Sequence, residues 1–248
     1  MNTKSNFISL SITEDKYNGI TIDGSSLTYD IDLFKKALLE IIAQNKTKNL
    51  LWIKIPICNS NFIPLLTSYD FVFHHCNEKD ITLVKRISIN PIIPTAKNHT
   101  LGVGAVVIKD NQLLVIKDKF QKGFKLPGGH IDDRENITTA LKREVLEETG
   151  IKIQFENITS IGHFSPSQFG ESNLYIVCKA KAVSYEINIQ DADEILEAKW
   201  INLEEFFIDE EILSYNKALV KSAIVNKGLK IDECNFFTNP NKTYEFFF

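Results

Sequence analysis

Three glutamates, Glu144, Glu147 and Glu148, stand within the run KREVLEETG, past the middle of a 248-residue chain. At about 100° per residue of helix, Glu144 and Glu148 fall inside the apolar stripe of Ile137, Ala140, Leu141 and Val145, and Glu147 lies about 60° to one side of Glu144. Carboxylates about 5 Å apart repel by roughly 3 kcal/mol per pair at an effective dielectric of about 20. On a solvated face such a cluster is tolerable, and REVLEE taken alone also reads as an ordinary charged helix. On a core-directed face it needs protonation or a cation. Arg143 is placed to pair with Glu147 at i+4, but one arginine does not neutralise three acids. Oxygen-only ligands suit a hard divalent ion, Mg²⁺ or Mn²⁺, of the kind that usually serves phosphate substrates.

The elements that must position these acids are legible around them. Asn136 is placed to cap the helix start, and Gly150 is a natural stop. Leu146, on the far side, implies a helix flanked on two sides. A strand FKLP leads into Gly128-Gly129, where a sharp turn and a close approach of bare backbone to an ion or phosphate are expected. LGVGAVVIKDNQLLVIKD reads as two β runs joined at Asp110-Asn111. Ile153–Ile161, LYIVCKAKAV (174–183) and EAKWINL (197–203) are strand-like, and residues 211–228 read as a final helix stopped at Gly228. The three closing phenylalanines, Phe246 to Phe248, are expected to pack on a core or a partner.

The first hundred residues read as a separate compact α/β unit. Strands are expected at Phe7–Thr13, Tyr17–Ile22, LLWIKIPI (50–57), FVFHHC (71–76) and ITLVKRI (81–87). A helix follows Asp30-Ile-Asp32, and a short one runs from about Ser60 to Ser68. His74 and His75 should point to opposite faces of their strand, one into the core and one outward. Pro91 and Pro94 in SINPIIPTAKNHT mark a linker. This half carries no catalytic constellation, so it is expected to do no chemistry. Covering the second domain, forming a subunit interface or walling the cleft are the roles left to it.

Composition sets outer limits. The chain is 44% hydrophobic with a net charge of -4, which argues against sequence-independent nucleic-acid binding. Residues 1–99 are net +2 (11 basic against 9 acidic) and residues 100–248 net -6 (17 against 23), so the acids gather in the half that holds the cluster. No run of about 18 apolar residues suggests a membrane span. Cys58, Cys76, Cys178 and Cys234 are scattered, which suits reduced thiols in a cytoplasmic protein.

The stretch from residue 128 to 151, GGHIDDRENITTALKREVLEETGI, matches G-x5-E-x7-R-E-U-x-E-E-x-G-U (U apolar) at Gly129, Glu135, Arg143, Glu144, Val145, Glu147, Glu148, Gly150 and Ile151. Such a match arises by chance with odds on the order of one in a million. It resembles the signature of the Nudix hydrolases, which cleave a diphosphate linking a nucleoside to another group. The resemblance runs over residues 100–228. WIKIP, SYDFVFHHC, GVGAVV and SNLYIVCKA through DADEILEAKW further resemble a two-domain subgroup that includes plant ADP-ribose/NADH pyrophosphatases and an animal antisense fibroblast-growth-factor Nudix protein. Arg134 departs from the pattern, standing where a glycine is common before Glu135.

The resemblance implies an α/β fold: a Nudix α/β/α sandwich with a mixed sheet over residues 96–248, preceded by a smaller acetyltransferase-like α/β domain over residues 1–95. It implies that Glu144, Glu147 and Glu148 ligate Mg²⁺ or Mn²⁺, that the Gly129 carbonyl assists, and that Glu135 and Arg143 brace the motif, with Arg143 counted among the catalytic residues. The reaction is then substitution at phosphorus by water, with Glu148 or Glu194 as the base. Phe124, Phe164 and Phe169 are candidates for stacking an adenine, although each also reads as a core residue. Pro166, fifteen residues beyond Ile151, is spaced as in many ADP-ribose pyrophosphatases. The expected substrate is ADP-ribose, cleaved to AMP and ribose 5-phosphate. NADH or another dinucleotide comes second, and a non-catalytic nucleotide sensor is the alternative of a different class. A homodimer is the expected assembly.

Overall fold

A computed structural model describes residues 10–26, 30–167, 170–232 and 245–248. The chain divides into two units, Met1–Lys97 and Asn98–Phe248. Phe7 to Ser9 of the first expected strand, and Cys234, lie outside the described residues.

The N-terminal unit is a five-stranded sheet with helices. Its elements are β1 (Ser11–Glu14), β2 (Gly19–Asp23), α1 (Ile31–Gln44), β3 (Leu50–Pro56), α2 (Ile63–Ser68), β4 (Val72–Cys76) and β5 (Asp80–Arg86). The strand order is β1-β2-β3-β5-β4, with only β2 and β3 parallel. Asp30 caps α1 through two backbone N–H groups. Alternate residues of β3, Leu51, Ile53 and Ile55, join Phe34, Leu38 and Ile41 of α1 in one core. A register shift between Phe73 and His75 breaks the alternation of β4. In consequence His74 and His75 do not divide into core and surface. His74 is half-buried and His75 exposed, and their Nδ1 atoms meet at 2.7 Å.

The C-terminal unit is an α/β/α sandwich on a mixed sheet. It comprises β6 (His99–Lys109), β7 (Gln112–Asp118), β8 (Gly128–His130), α3 (Ile137–Thr149), β9 (Ile153–Phe164), β10 (Ser172–Ala182), β11 (Ile195–Asn202), α4 (Leu203–Ile208), α5 (Ser214–Val225), β12 (Ile231–Asp232) and β13 (Phe246–Phe247). The order is β11-β7-β6-β10-β9, with β8 on β6 and β10 parallel to β6. Strands covered on both faces must be apolar throughout, and β6 obeys by alternation. Val103, Ala105 and Val107 face Ala140, Leu141 and Val145 of α3. Val106 faces Phe206 of α4 and Leu219, Val220 and Ala223 of α5.

Asp110 and Asn111 both take positive φ, 48° and 62°, and turn β6 into β7. The final helix is shorter than expected. It stops at Val225, and Gly228 lies past its end at φ 67°. Of the terminal phenylalanines, Phe247 packs on Phe155 with ring centroids 5.6 Å apart, whereas Phe248 stays 66% exposed.

Candidate active site

Helix α3 carries its acids toward the sheet. Glu148 is only 4% exposed, and the Glu144 and Glu147 side chains are 14% and 43% exposed. Gly150 ends the helix in the left-handed conformation at φ 75°. Asn136 stands at the cap position, but its side chain makes no capping bond. The first turn is served instead by Glu245, which accepts from the Thr138 hydroxyl and, at 3.4 Å, from its N–H. At the other end, the Glu147 carbonyl accepts the N–H groups of Gln190 and Asp191 at 2.8 and 2.9 Å, and Asn188 donates to Thr149. The loop preceding β11 is thereby docked on the end of α3.

Arg143 organises the motif. Its Nε and Nη2 donate to the two oxygens of Glu135 at 3.0 and 2.8 Å, and its Nη1 reaches Glu144 at 2.9 Å and Glu147 at 3.1 Å. Nη2 also donates to the His130 carbonyl. The hydrogen bonds to Glu135, and then those to Glu144 and Glu147, hold the guanidinium above its ordinary range against burial. Glu135 is lowered in return by Arg143, with burial opposing. With every branch engaged, Arg143 is a brace and does not line the cavity. Arg134 takes φ 64°, a left-handed position that glycine adopts without strain, which fits the glycine common there in the pattern the sequence resembles.

Gly128 and Gly129 do not form a turn after a strand. They are a strand themselves, β8, paired with Gly104 and Val103 of β6. A β-carbon on Gly129 would sit 2.6 Å from Glu144 Oε2, so the glycine leaves the space that the carboxylate enters. The Gly128 N–H donates to Glu148 Oε2 at 2.6 Å. Burial pushes the Glu148 carboxyl up to about 8. The Gly128 bond and Lys125 pull the other way, and Glu144 and Glu194 add to the rise. Burial raises Glu144 too, with Arg143 opposing.

A cavity of about 650 Å³ opens beside these groups. Gly128, Gly129, Lys125 and Glu194 line it together with Phe164. Lys125 is held by a salt bridge to buried Asp118, whose other oxygen accepts the N–H groups of Phe120 and Gln121. Burial alone would raise Asp118, but Lys125 and those two N–H groups leave it below the usual carboxylate range. Phe124 is not in the cavity. It packs against the α4–α5 core, with Lys199 Nζ 3.9 Å from its ring centroid. Phe169 lies outside the described residues.

The walls that the sequence did not disclose are Thr100, Asn173, Tyr175, Tyr215 and Asn216. Tyr175 lies flat on β6, where a β-carbon at Gly102 would meet its ring at 2.7 Å. The two glycines of GVG were the available signal that something large crosses that strand.

The donor set fits a hard cation. It consists of carboxylates, two of them raised by burial, while Arg143 shares its one charge among Glu135, Glu144 and Glu147. Among the described residues no three acidic, histidine or cysteine side chains converge into a ready-made cage, because Arg143 draws Glu144 and Glu147 to itself.

The family model described as NUDIX domain matches residues 98–221, and that described as Nudix hydrolase domain matches residues 10–87. The chain is 33% identical over 202 residues to human "Nucleoside diphosphate-linked moiety X motif 6", covering 76% of this chain and 64% of that protein. It is 31% identical over 203 residues to "Nudix hydrolase 7" of Arabidopsis thaliana, covering 77% and 71%. A solved structure, "NUDIX hydrolase from Nitrosomonas europaea", is 24% identical with a TM-score of 0.48, over 56% of this chain and 97% of that one. The chain thus spans less than two thirds of the human relative. The matched model over residues 98–221 and these relatives establish that the chain belongs to the Nudix hydrolase family.

Proposed function

We propose that the C-terminal unit hydrolyses the diphosphate of a nucleoside diphosphate linked to a second group, with ADP-ribose, giving AMP and ribose 5-phosphate, as the first substrate to test. The observation that carries this reading is that Glu144 and Glu148, both raised by burial, stand behind the Gly128-Gly129 segment of β8, whose other side lines a cavity shared with Lys125 and Glu194.

Glu144, Glu147 and Glu148 would hold Mg²⁺ or Mn²⁺. Such an ion, when bound, neutralises and orients the diphosphate and acidifies a bound water. Burial raises the Glu148 carboxyl in the metal-free protein, and a cation bound there would draw its proton off and engage it as a ligand. Glu194, on the cavity wall, is then the group that takes the proton from water. Lys125, fixed by Asp118, offers a positive charge to phosphate oxygens. Arg143 and Glu135 keep α3 in register with β8.

A symmetric homodimer in a reducing, cytoplasmic setting completes the proposal. The free thiols of Cys58, Cys76 and Cys178 are consistent with that compartment.

The test is a panel of nucleoside diphosphate-linked compounds incubated with Mg²⁺ or Mn²⁺, with products separated by chromatography. Release of AMP from ADP-ribose, abolished by excess EDTA, is the expected result. No turnover of any member, or turnover that survives EDTA, overturns the reading.

A further inference from the structure

Helix α5 turns an amide side chain into the cavity. Asn216 is 8% exposed, yet its carboxamide makes no hydrogen bond to any described residue. Leu213 and Leu219, three positions to either side on the same stripe, also line the cavity. A leucine at 216 would complete that apolar wall, whereas the amide, which is not among the buried polar atoms left without a partner, keeps its polar atoms open to the cavity. Packing therefore does not account for the amide, whereas a ligand entering the cavity would give it partners.

The surroundings define what that ligand is. Phe164 and Tyr215 meet edge to face, with centroids 5.7 Å apart at 77°, and both line the cavity. The Tyr175 hydroxyl, on the same wall, likewise has no hydrogen-bond partner among the described residues. Across the sheet the register runs from His130 on β8 through Gly102 and Tyr175 to Gly162 on β9. Three strand spacings, about 14 Å, thus separate the carboxylate end from the aromatic end. One end is suited to a cation and phosphate, and the other to a flat apolar ring with a hydrogen-bonding edge.

We propose that Asn216 is a specificity-determining residue that reads the edge of a nucleobase, adenine, while Tyr215 and Phe164 pack against the ring. A carboxamide offers one donor beside one acceptor, the complement of adenine's amino group and neighbouring ring nitrogen. This rests on the hydrolase reading of the same cavity for the placement of the phosphates, but base recognition is measurable without turnover.

The experiment is calorimetric titration of the full chain with AMP, GMP and ribose 5-phosphate in EDTA, repeated on Asn216→Asp and Asn216→Leu, each first checked by thermal melting. Wild type should bind AMP about 10–100-fold more tightly than ribose 5-phosphate or GMP. Asn216→Asp presents acceptors only. It should lose most of the AMP affinity and gain for GMP, whose edge carries adjacent N–H donors. Asn216→Leu should melt no lower than wild type and bind both nucleotides weakly. Variants that bind AMP as wild type does overturn the inference, as does a wild type without preference for AMP. If AMP binding depends on Asn216 but the substrate panel shows no turnover, the hydrolase reading fails and the base site stands. If turnover proceeds with the same base preference in every Asn216 variant, the reverse holds.

Discussion

The Gly128 N–H donates to Glu148 Oε2 at 2.6 Å, joining the first residue of β8 to a carboxyl buried in α3. That single bond and the charge of Lys125 do not offset burial, and the carboxyl is pushed up to about 8. Its folded value stands above the ordinary 4.5, so the folded chain binds the proton more tightly than the unfolded one. The contribution to stability is complete below the ordinary value and is lost as pH rises through the folded one. Metal-free protein should therefore melt several degrees lower near pH 9 than near pH 6. Glu148→Gln should remove most of that slope. Mg²⁺ should raise the melting temperature more at the higher pH, because binding must displace the proton. Scanning calorimetry in EDTA and in Mg²⁺ reads all three effects. An equal slope in Glu148→Gln would remove Glu148 as its source.

The two glycines of β8 should respond differently to alanine. At Gly129 the added carbon meets the Glu144 carboxyl, the far end of a flexible side chain, at 2.6 Å. The fold should survive while Mg²⁺ affinity falls about 10–100-fold, as when a supporting contact of a metal site is lost. At Gly128 the added carbon runs into the Val103 carbonyl oxygen and the Gly104 Cα, at φ 147°. Gly128→Ala should therefore express as unfolded or strongly destabilised protein. Circular dichroism with Mn²⁺ titration followed by electron paramagnetic resonance separates the two outcomes.

Arg143 is the shared partner of Glu135, Glu144 and Glu147, and its side chain is 28% exposed. Arg143→Ala should cost about 1–3 kcal/mol of stability, since it strands partly buried carboxylates. Lysine keeps the charge but not the planar fork that spans Glu135 and Glu144 at once. Arg143→Lys should therefore recover less than half of that loss in urea unfolding. Full recovery would show that charge alone suffices and that the fork geometry is incidental.

Much of this site was readable in the sequence because α3 is local. Helical spacing put Glu144 and Glu148 on the stripe of Ala140, Leu141 and Val145, and Gly150 closed the helix where expected. The Asp110-Asn111 turn was readable for the same reason. What escaped depends on distant contacts. The cap of α3 comes from Glu245, 107 residues from Thr138, so Asn136 misled. The histidine pair defeated strict alternation because one register shift re-aims it. Thr100, Asn173, Tyr175 and Asn216 converge from β6, β10 and α5, and no spacing in the chain announces that they share a wall. Phe124 was drawn to the site by type alone, and the α4–α5 core claimed it.

Glu194 gives the sharpest test of how the proposed labour is divided. Its N–H donates to Asp191 Oδ1 at 3.2 Å, its carbonyl accepts from Lys119, and Asp191 N–H is tied to the Glu147 carbonyl. The loop is thus fixed to the end of α3 by backbone bonds that do not use the Glu194 carboxylate. Removing only the charge should leave the loop in place. Glu194→Gln should then lower kcat by about 10²–10⁴-fold, the usual worth of a general base, with KM and melting temperature near wild type. Glu148→Gln should instead weaken Mn²⁺ binding, and part of its rate loss should be recovered at high Mn²⁺. Asp191→Ala removes only the Oδ1 acceptor of the Glu194 N–H and keeps the backbone ties to Glu147, so it should lower kcat far less than Glu194→Gln does. If Glu194→Gln turns over at the wild-type rate while Glu148→Gln is dead at saturating Mn²⁺, Glu148 is the base and Glu194 only lines the wall.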